Sequence, residues 1–148
     1  MVKFLKYGRV CVLLNGRQAG KKAVIVKSVE EGTKERKYPH ALVAGLERGA
    51  RKVTKKMSKK KVQKRTNLKP FVKYVNLNHV MPTRYSVTGE VDFKAIVSDD
   101  KMAQADKRAE MKKALKLALQ EKYRNMPVPK SAHDKTSHLK FFYKKLRF

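Results

Sequence analysis

Acidic residues are scarce in this sequence. Twelve Asp and Glu stand against 38 Lys and Arg in 148 residues, a formal charge of +26, and the pI is near 10.4. A soluble domain ordinarily keeps its net charge small, because self-repulsion opposes compaction. The shortage of acid therefore calls for a polyanion, either nucleic acid or an anionic membrane surface. Long apolar runs are missing too. The longest, residues 10–14, has five, far short of the roughly 18 that cross a bilayer. The first residues lack the apolar core and small-residue cleavage site of a secretory signal, so the cytosol or nucleus is the expected location. A single cysteine, Cys11, excludes an internal disulfide framework and suits a reducing compartment.

Catalytic constellations are absent as well. Cys11 sits in an apolar run with no histidine close in sequence, which marks it as a small buried apolar group. His133 and His138 are five apart with no cysteine beside them, and His40 and His79 have no partner at zinc-ligand spacing. Asp99 and Asp100 are adjacent, which suits helix capping better than a general acid paired with a base. There is no Walker loop and no dinucleotide fingerprint. No enzyme reading has residues to rest on, and neither a cofactor nor a metal is expected.

What the chain does have is a core. Hydrophobic residues make up 41% of it, too many for a disordered tail. At this length one modest domain is expected, burying about two-thirds of the surface of the unfolded chain. Val10, Val12 and Leu14 alternate with Cys11 and Leu13, a glycine-rich turn follows over 15–22, and residues 23–29 form a second β-branched run. Strong β-formers on either side of Asn15-Gly16 and Gly20 signal a hairpin. Apolar residues on both strand faces imply burial on both sides, as in a small closed barrel. A third strand is predicted over 38–46, entered through Pro39 and left at Gly49. Another is predicted over 71–77, with Met81-Pro82-Thr83 ending it.

Residues 48–89 hold thirteen Lys and Arg and no acid. Within them, 58–65 suits a short helix with Ser58 as its cap and Val62 as its one apolar contact. Like charges at i and i+4 make that helix marginal alone, and bound phosphate would relieve the repulsion. The C-terminal third is helical by composition, from 101 to about 124. Ser98, Asp99 and Asp100 supply a cap and a favourable charge at its start. Met111, Leu115, Ala118 and Leu119 form one apolar stripe, with Lys113, Lys116 and Arg124 opposite, and Pro127 and Pro129 stop the helix. The expected class is α+β with a mainly β core. Residues 1–89 make the barrel, with its hairpin at about 5–31 and a basic insertion at 48–69; residues 90–148 make a helical, basic extension.

Gly8, Gly16 and Gly20, set among apolar runs and followed by Lys21-Lys22, resemble a KOW motif, a hairpin and loop of SH3-like barrels. Gly20 supplies a positive φ that other residues disfavour, and Arg17, Lys21 and Lys22 then point at backbone phosphates. The plainer alternative is an ordinary hairpin with a basic turn. The Lys-rich stretch has its own plain alternative, a solvated face or a nuclear-targeting signal. Seven further cations and no acid in residues 1–29 favour a large folded polyanion over a local tag. Tyr7, Tyr38, Tyr74, Tyr85, Phe141, Phe142, Tyr143 and Phe148 lie near cations and suit stacking on unpaired bases. Phe71, Tyr74 and Val75 read as structural, and the C-terminal aromatics fit either role.

Several segments then point one way: Lys6-Tyr7-Gly8-Arg9-Val10, residues 14–24, Lys64-Arg65-Thr66-Asn67-Leu68-Lys69-Pro70-Phe71, Asn78-His79-Val80-Met81-Pro82-Thr83-Arg84-Tyr85 and residues 139–148. Together they resemble the eukaryotic large ribosomal subunit protein twenty-seven family, which is unrelated to the bacterial protein of the same number. The resemblance runs the full length. It implies an SH3-like barrel with a long C-terminal extension, packed on large-subunit rRNA beside neighbouring ribosomal proteins. It implies a structural constituent that stabilises rRNA and contributes to subunit assembly and cytoplasmic translation, after nuclear and nucleolar passage. No membrane span and no small-molecule substrate are expected. Phosphate contact is carried over to Arg17, Lys21 and Lys22. On charge grounds alone it extends to Arg48, Arg51, Lys52, Lys55, Lys56, Lys59, Lys60, Lys61, Lys64 and Arg65, and to Arg9, Lys27, Lys69, Lys144, Lys145 and Arg147. The rival readings are a KOW-bearing RNA-processing or transcription elongation factor that binds RNA transiently, and a chromatin-type basic protein.

Overall fold

The protein is seen in a computed structural model that describes residues 4–126 and 135–146. It is an α+β fold with a mainly β core. Five strands, β1 (Arg9–Leu13), β2 (Lys22–Val29), β3 (His40–Arg48), β4 (Lys69–Asn76) and β5 (Val80–Ser86), make one antiparallel sheet in the order β4-β3-β2-β1-β5. Helix α1 (Lys59–Arg65) lies between β3 and β4, and a 3-10 turn (Leu77–His79) joins β4 to β5. Helices α2 (Phe93–Ile96), α3 (Asp99–Ala103), α4 (Ala105–Arg124) and α5 (Lys135–Tyr143) follow the sheet.

The predicted hairpin is β1–β2, with Val10 opposite Val24 and Val12 opposite Lys22. Its turn closes through Gly20, whose φ of +73° lets its N–H donate to the Leu13 carbonyl at 2.7 Å. Strand alternation then divides the apolar residues into two clusters. On one face Val10, Val24, Val26, Leu42, Ala44, Leu46 and Val72 pack against Phe93, Met111, Leu115, Leu119, Leu139 and Phe142 from the helices. Leu115 and Leu119 are fully enclosed, each contributing roughly 2 kcal/mol of burial. Ala118 of the predicted stripe lies at the margin of the same cluster. The Tyr143 hydroxyl donates to the Leu119 carbonyl at 2.7 Å, which ties α5 to α4. The opposite face holds Cys11, Leu13, Ala23, Ile25, Ala41, Val43, Phe71, Val75 and Val80. There Cys11 is the buried apolar group expected of it, its thiol donating to the Ala23 carbonyl at 3.3 Å and pushed by burial up to a pKa of about 12.

The closed barrel is not what forms. β4 and β5 are both edges, and among the described residues no ladder joins them. Burial on the second face comes from curling instead. Register shifts interrupt the β1–β5, β2–β3 and β3–β4 ladders, and such bulges bend and twist a sheet. The curl brings Phe71 and Val75 from one edge and Val80 from the other into one cluster.

Three further expectations are corrected. Met81-Pro82-Thr83 ends no strand; it lies inside β5. β5 pairs only with β1, and an edge strand tolerates the missing N–H of Pro82. The long C-terminal helix is broken at Gln104, whose extended backbone (φ −100°, ψ 138°) separates α3 from α4. Helix α2 precedes both. It begins at Asp92, whose Oδ1 accepts from the N–H groups of Lys94 and Ala95 at 3.1 and 3.2 Å. Ser58 and Ser98 do occupy the cap positions of α1 and α3, but neither side chain makes a capping bond. Pro127 and Pro129, the expected helix stop, lie outside the described residues.

Candidate nucleic-acid interface

Three chain segments place cations around one cleft. The first is the β1–β2 turn. It is braced by its own backbone, with Ala19 N–H bonded to Gly16 O at 3.0 Å and Lys21 N–H to Gln18 O at 3.1 Å, so the Arg17 side chain stands out in solvent. The second is the stretch that leaves β3 at Arg48. Arg51 N–H bonds to Arg65 O at 2.8 Å and the Arg65 guanidinium donates to Lys52 O at 2.9 Å, which pins this stretch to the end of α1. The third is the exit of α5, where Lys144 and Lys145 are exposed.

Between them lies a cleft of about 650 Å³, lined by Lys21, Lys22, Arg48, Arg51, Lys52, Lys144 and Lys145 together with Leu46, Phe142 and Tyr143. Among the described residues, Glu47 is the one acid in that lining. Its carboxylate accepts a hydrogen bond from Lys69 at 2.9 Å. That bond, with the charges of Lys69, Arg17 and Lys21, outweighs burial and holds the Glu47 carboxyl below the usual carboxylate range.

Lys22 is placed differently from the other cations of the cleft. It is only 6% exposed. Its ammonium donates to the Phe141 carbonyl and, at 2.5 Å, to the Lys144 carbonyl, and lies 3.8 Å from the Phe141 ring centroid. Burial first, then the neighbouring Lys144, pushes its pKa down to about 8. This lysine faces protein, so it is not positioned as the turn cation the hairpin suggested. A signal was present in the sequence: Lys22 is in phase with Val24 and Val26, which lie on the helix-covered face.

The remaining candidates lie outside the cleft lining. Lys55, Lys56, Lys59, Lys60, Lys61 and Lys64 are exposed along the approach to α1 and on it, and α1 buries no residue and has no acid in its first turn. Lys69 is paired with Glu47. Arg9 donates to the carbonyls of Thr83 and Arg84 at 3.4 and 3.3 Å. Lys27 pairs with Asp99 at 2.5 Å, and Asp99 also accepts from the Tyr74 hydroxyl at 2.6 Å. Arg147 and Phe148 lie outside the described residues. Lys73, absent from the phosphate-contact expectations, has its ammonium 3.2 Å from where a Cβ on Gly16 would lie, beside the turn.

The aromatics are largely committed to the protein. Phe71, Phe142 and Tyr143 are buried. Tyr74 carries the Arg36 guanidinium 4.0 Å over its ring. Phe141 stacks on Tyr85 with centroids 3.9 Å apart and planes 17° from parallel. The Lys22 ammonium is equally near the same ring. Tyr38 is 42% exposed.

Chemically this is a strongly basic protein with an open cleft lined by cations and, among the described residues, no cluster able to hold a metal. The sequence matches the Ribosomal L27e protein family over residues 10–148, and the chain belongs to that family. Large ribosomal subunit protein eL27 of Tetrahymena thermophila is 60% identical over all of both chains. The Candida albicans protein of the same name is 49% identical, and eL27B of Saccharomyces cerevisiae 47%, each over all of both chains. Membership makes the chain a structural ribosomal component, not an enzyme.

Proposed function

We propose that this chain is a structural constituent of the large ribosomal subunit that holds rRNA by its phosphates, with the basic cleft as the centre of contact. The observation that carries this reading is the cleft itself: five exposed cations, Arg48, Arg51, Lys52, Lys144 and Lys145, with the half-buried Lys21, come from three separate segments and stand beside one acid already bonded to Lys69. Cations converging from distant points of the chain match a folded, curved polyanion better than an extended one. Contacts of this kind fix position without reading bases, and they suit RNA helices, which are recognised by shape and backbone. Six phosphate contacts would make log K fall by about 4–5 units per decade of salt, at roughly 0.7–0.9 each. The lysines before and along α1 extend the same contact, and the neighbours on the assembled subunit are other ribosomal proteins. The working location is the cytoplasmic ribosome, reached through the nucleolus.

Sedimentation of a tagged copy tests this. Co-migration with the large subunit through a high-salt wash is expected. Release at moderate salt, with the subunits otherwise intact, would identify a transient RNA-binding factor instead.

A further inference from the structure

Lys22 is the one cleft cation that has no open face toward solvent, and its position relative to α5 gives it a different task. The last carbonyls of a helix have no partner within the helix, and cations are favourable there. In α5 the Lys140 carbonyl is satisfied by Lys144 N–H at 3.0 Å. The Phe141 carbonyl, and the Lys144 carbonyl just beyond the helix, are both satisfied by the Lys22 ammonium. The same ammonium lies over the Phe141 ring, on which Tyr85 of β5 also stacks. The helix end is thus clamped to two strands, β2 through Lys22 and β5 through Tyr85.

We infer that Lys22 is a positioning residue of the RNA interface: it contacts no phosphate itself, but caps the end of α5 from across the sheet and so fixes Lys144 and Lys145 as one wall of the cleft. This rests on reading the cleft as the phosphate interface. Without the cap, two carbonyls would lose their donor and the exit of α5 would no longer be aimed. Burial and the neighbouring Lys144 both work against the Lys22 charge, so the two carbonyl bonds are what hold the ammonium in place.

A double-mutant cycle in the full chain tests it, with salt-dependent binding to a short RNA duplex as the readout. The Lys144→Gln/Lys145→Gln pair should make the salt slope shallower by about 1.4–1.8 units, two contacts at roughly 0.7–0.9 each. Lys22→Met keeps the apolar stem and removes the donor. It should also reduce the slope, and combining it with the pair should remove nothing more than the pair alone. A phosphate-contacting Lys22 would instead add its own loss of about 0.7–0.9 in the triple variant; that additivity overturns the inference, as does a Lys22→Met slope equal to wild type. If Lys22→Met does not fold, Lys22→Gln, a shorter neutral side chain that presents no ammonium to either carbonyl, carries the same test and the same criteria. An inert Lys144/Lys145 pair would instead count against the phosphate reading of the cleft.

Discussion

Replacing Lys59, Lys60 and Lys61 together with glutamate should set folding and binding in opposite directions. These residues are the first turn of α1, which contains no acid and gets no side-chain bond from Ser58. Three cations therefore sit at the positive end of the helix dipole. Each such placement is unfavourable by roughly 0.3–1 kcal/mol, and an acid in the same place is favourable by a similar amount. The side chains are exposed and α1 buries nothing, so no core contact is disturbed. Thermal melting followed by circular dichroism should be unchanged or slightly raised. Binding should move the other way. Losing three phosphate contacts makes the salt slope shallower by about 2–3 units per decade and weakens affinity about a hundredfold near 0.15 M salt, before any repulsion from the new acids. Fluorescence anisotropy of a labelled RNA duplex across a salt series gives slope and affinity together, and particle incorporation gives the cellular counterpart. A well-folded triple variant with wild-type slope, affinity and incorporation would refute the reasoning and leave these lysines as a solvated face.

Gly45→Ala should destabilise the sheet by steric crowding alone. An added Cβ would lie 2.6 Å from the Lys22 carbonyl and 2.7 Å from the Phe71 ring, and overpacking of this kind costs about 1–3 kcal/mol. With an unfolding entropy of about 2.1 cal/mol/K per residue, that is a fall in melting temperature of roughly 3–10 °C; an unchanged midpoint would mean β2, β3 and β4 pack less closely than described. Asp99 supplies a pH dependence. Burial acts to raise its pKa, but hydrogen bonds from Lys27 and Tyr74, with the charges of Lys27 and His40, outweigh this and hold it below 3.8. A depressed folded-state pKa gives stability that is present above the ordinary aspartate value and is lost as pH falls through the folded one. The acid limb of a stability–pH profile should therefore be shallower in Asp99→Asn, and an identical limb would exclude Asp99 as a contributor.

Much of the sheet was legible because strand period and turn chemistry are local signals. β1 and β2 follow from apolar, β-forming runs and from Gly20, β3 from its bounds at Pro39 and Gly49, and α4 from Met111, Leu115 and Leu119. What failed was decided at longer range. Met81-Pro82-Thr83 looks like the end of a strand in sequence, and only the strand order makes β5 an edge that accepts Pro82. Alternation showed that both faces of the sheet are buried, yet it does not say whether closure or helices do the covering. Here helices cover one face and the curl covers the other. The break at Gln104 lies in a run of good helix formers, where propensity gives no warning; the anchoring of Asp99 to Lys27 and Tyr74 fixes α3 to the sheet independently of α4. At the site, all seven cations that line the cleft are among the candidates named from the sequence. Which of them converge depends on the return of α5 to the hairpin, and no local pattern encodes that.

The helix-covered face of the sheet has a consequence for how the protein is made. β1, β2 and β3 are complete once residue 48 has been synthesised, but Leu115, Leu119, Leu139 and Phe142, which cover their apolar side, come later in the chain. At roughly 5–20 residues per second the emerging polypeptide carries a bare, strongly cationic β-surface for about 5–20 seconds. During that interval it is open to adhesion with other nascent chains and with any stray nucleic acid. Docking of the last helix ends that exposure.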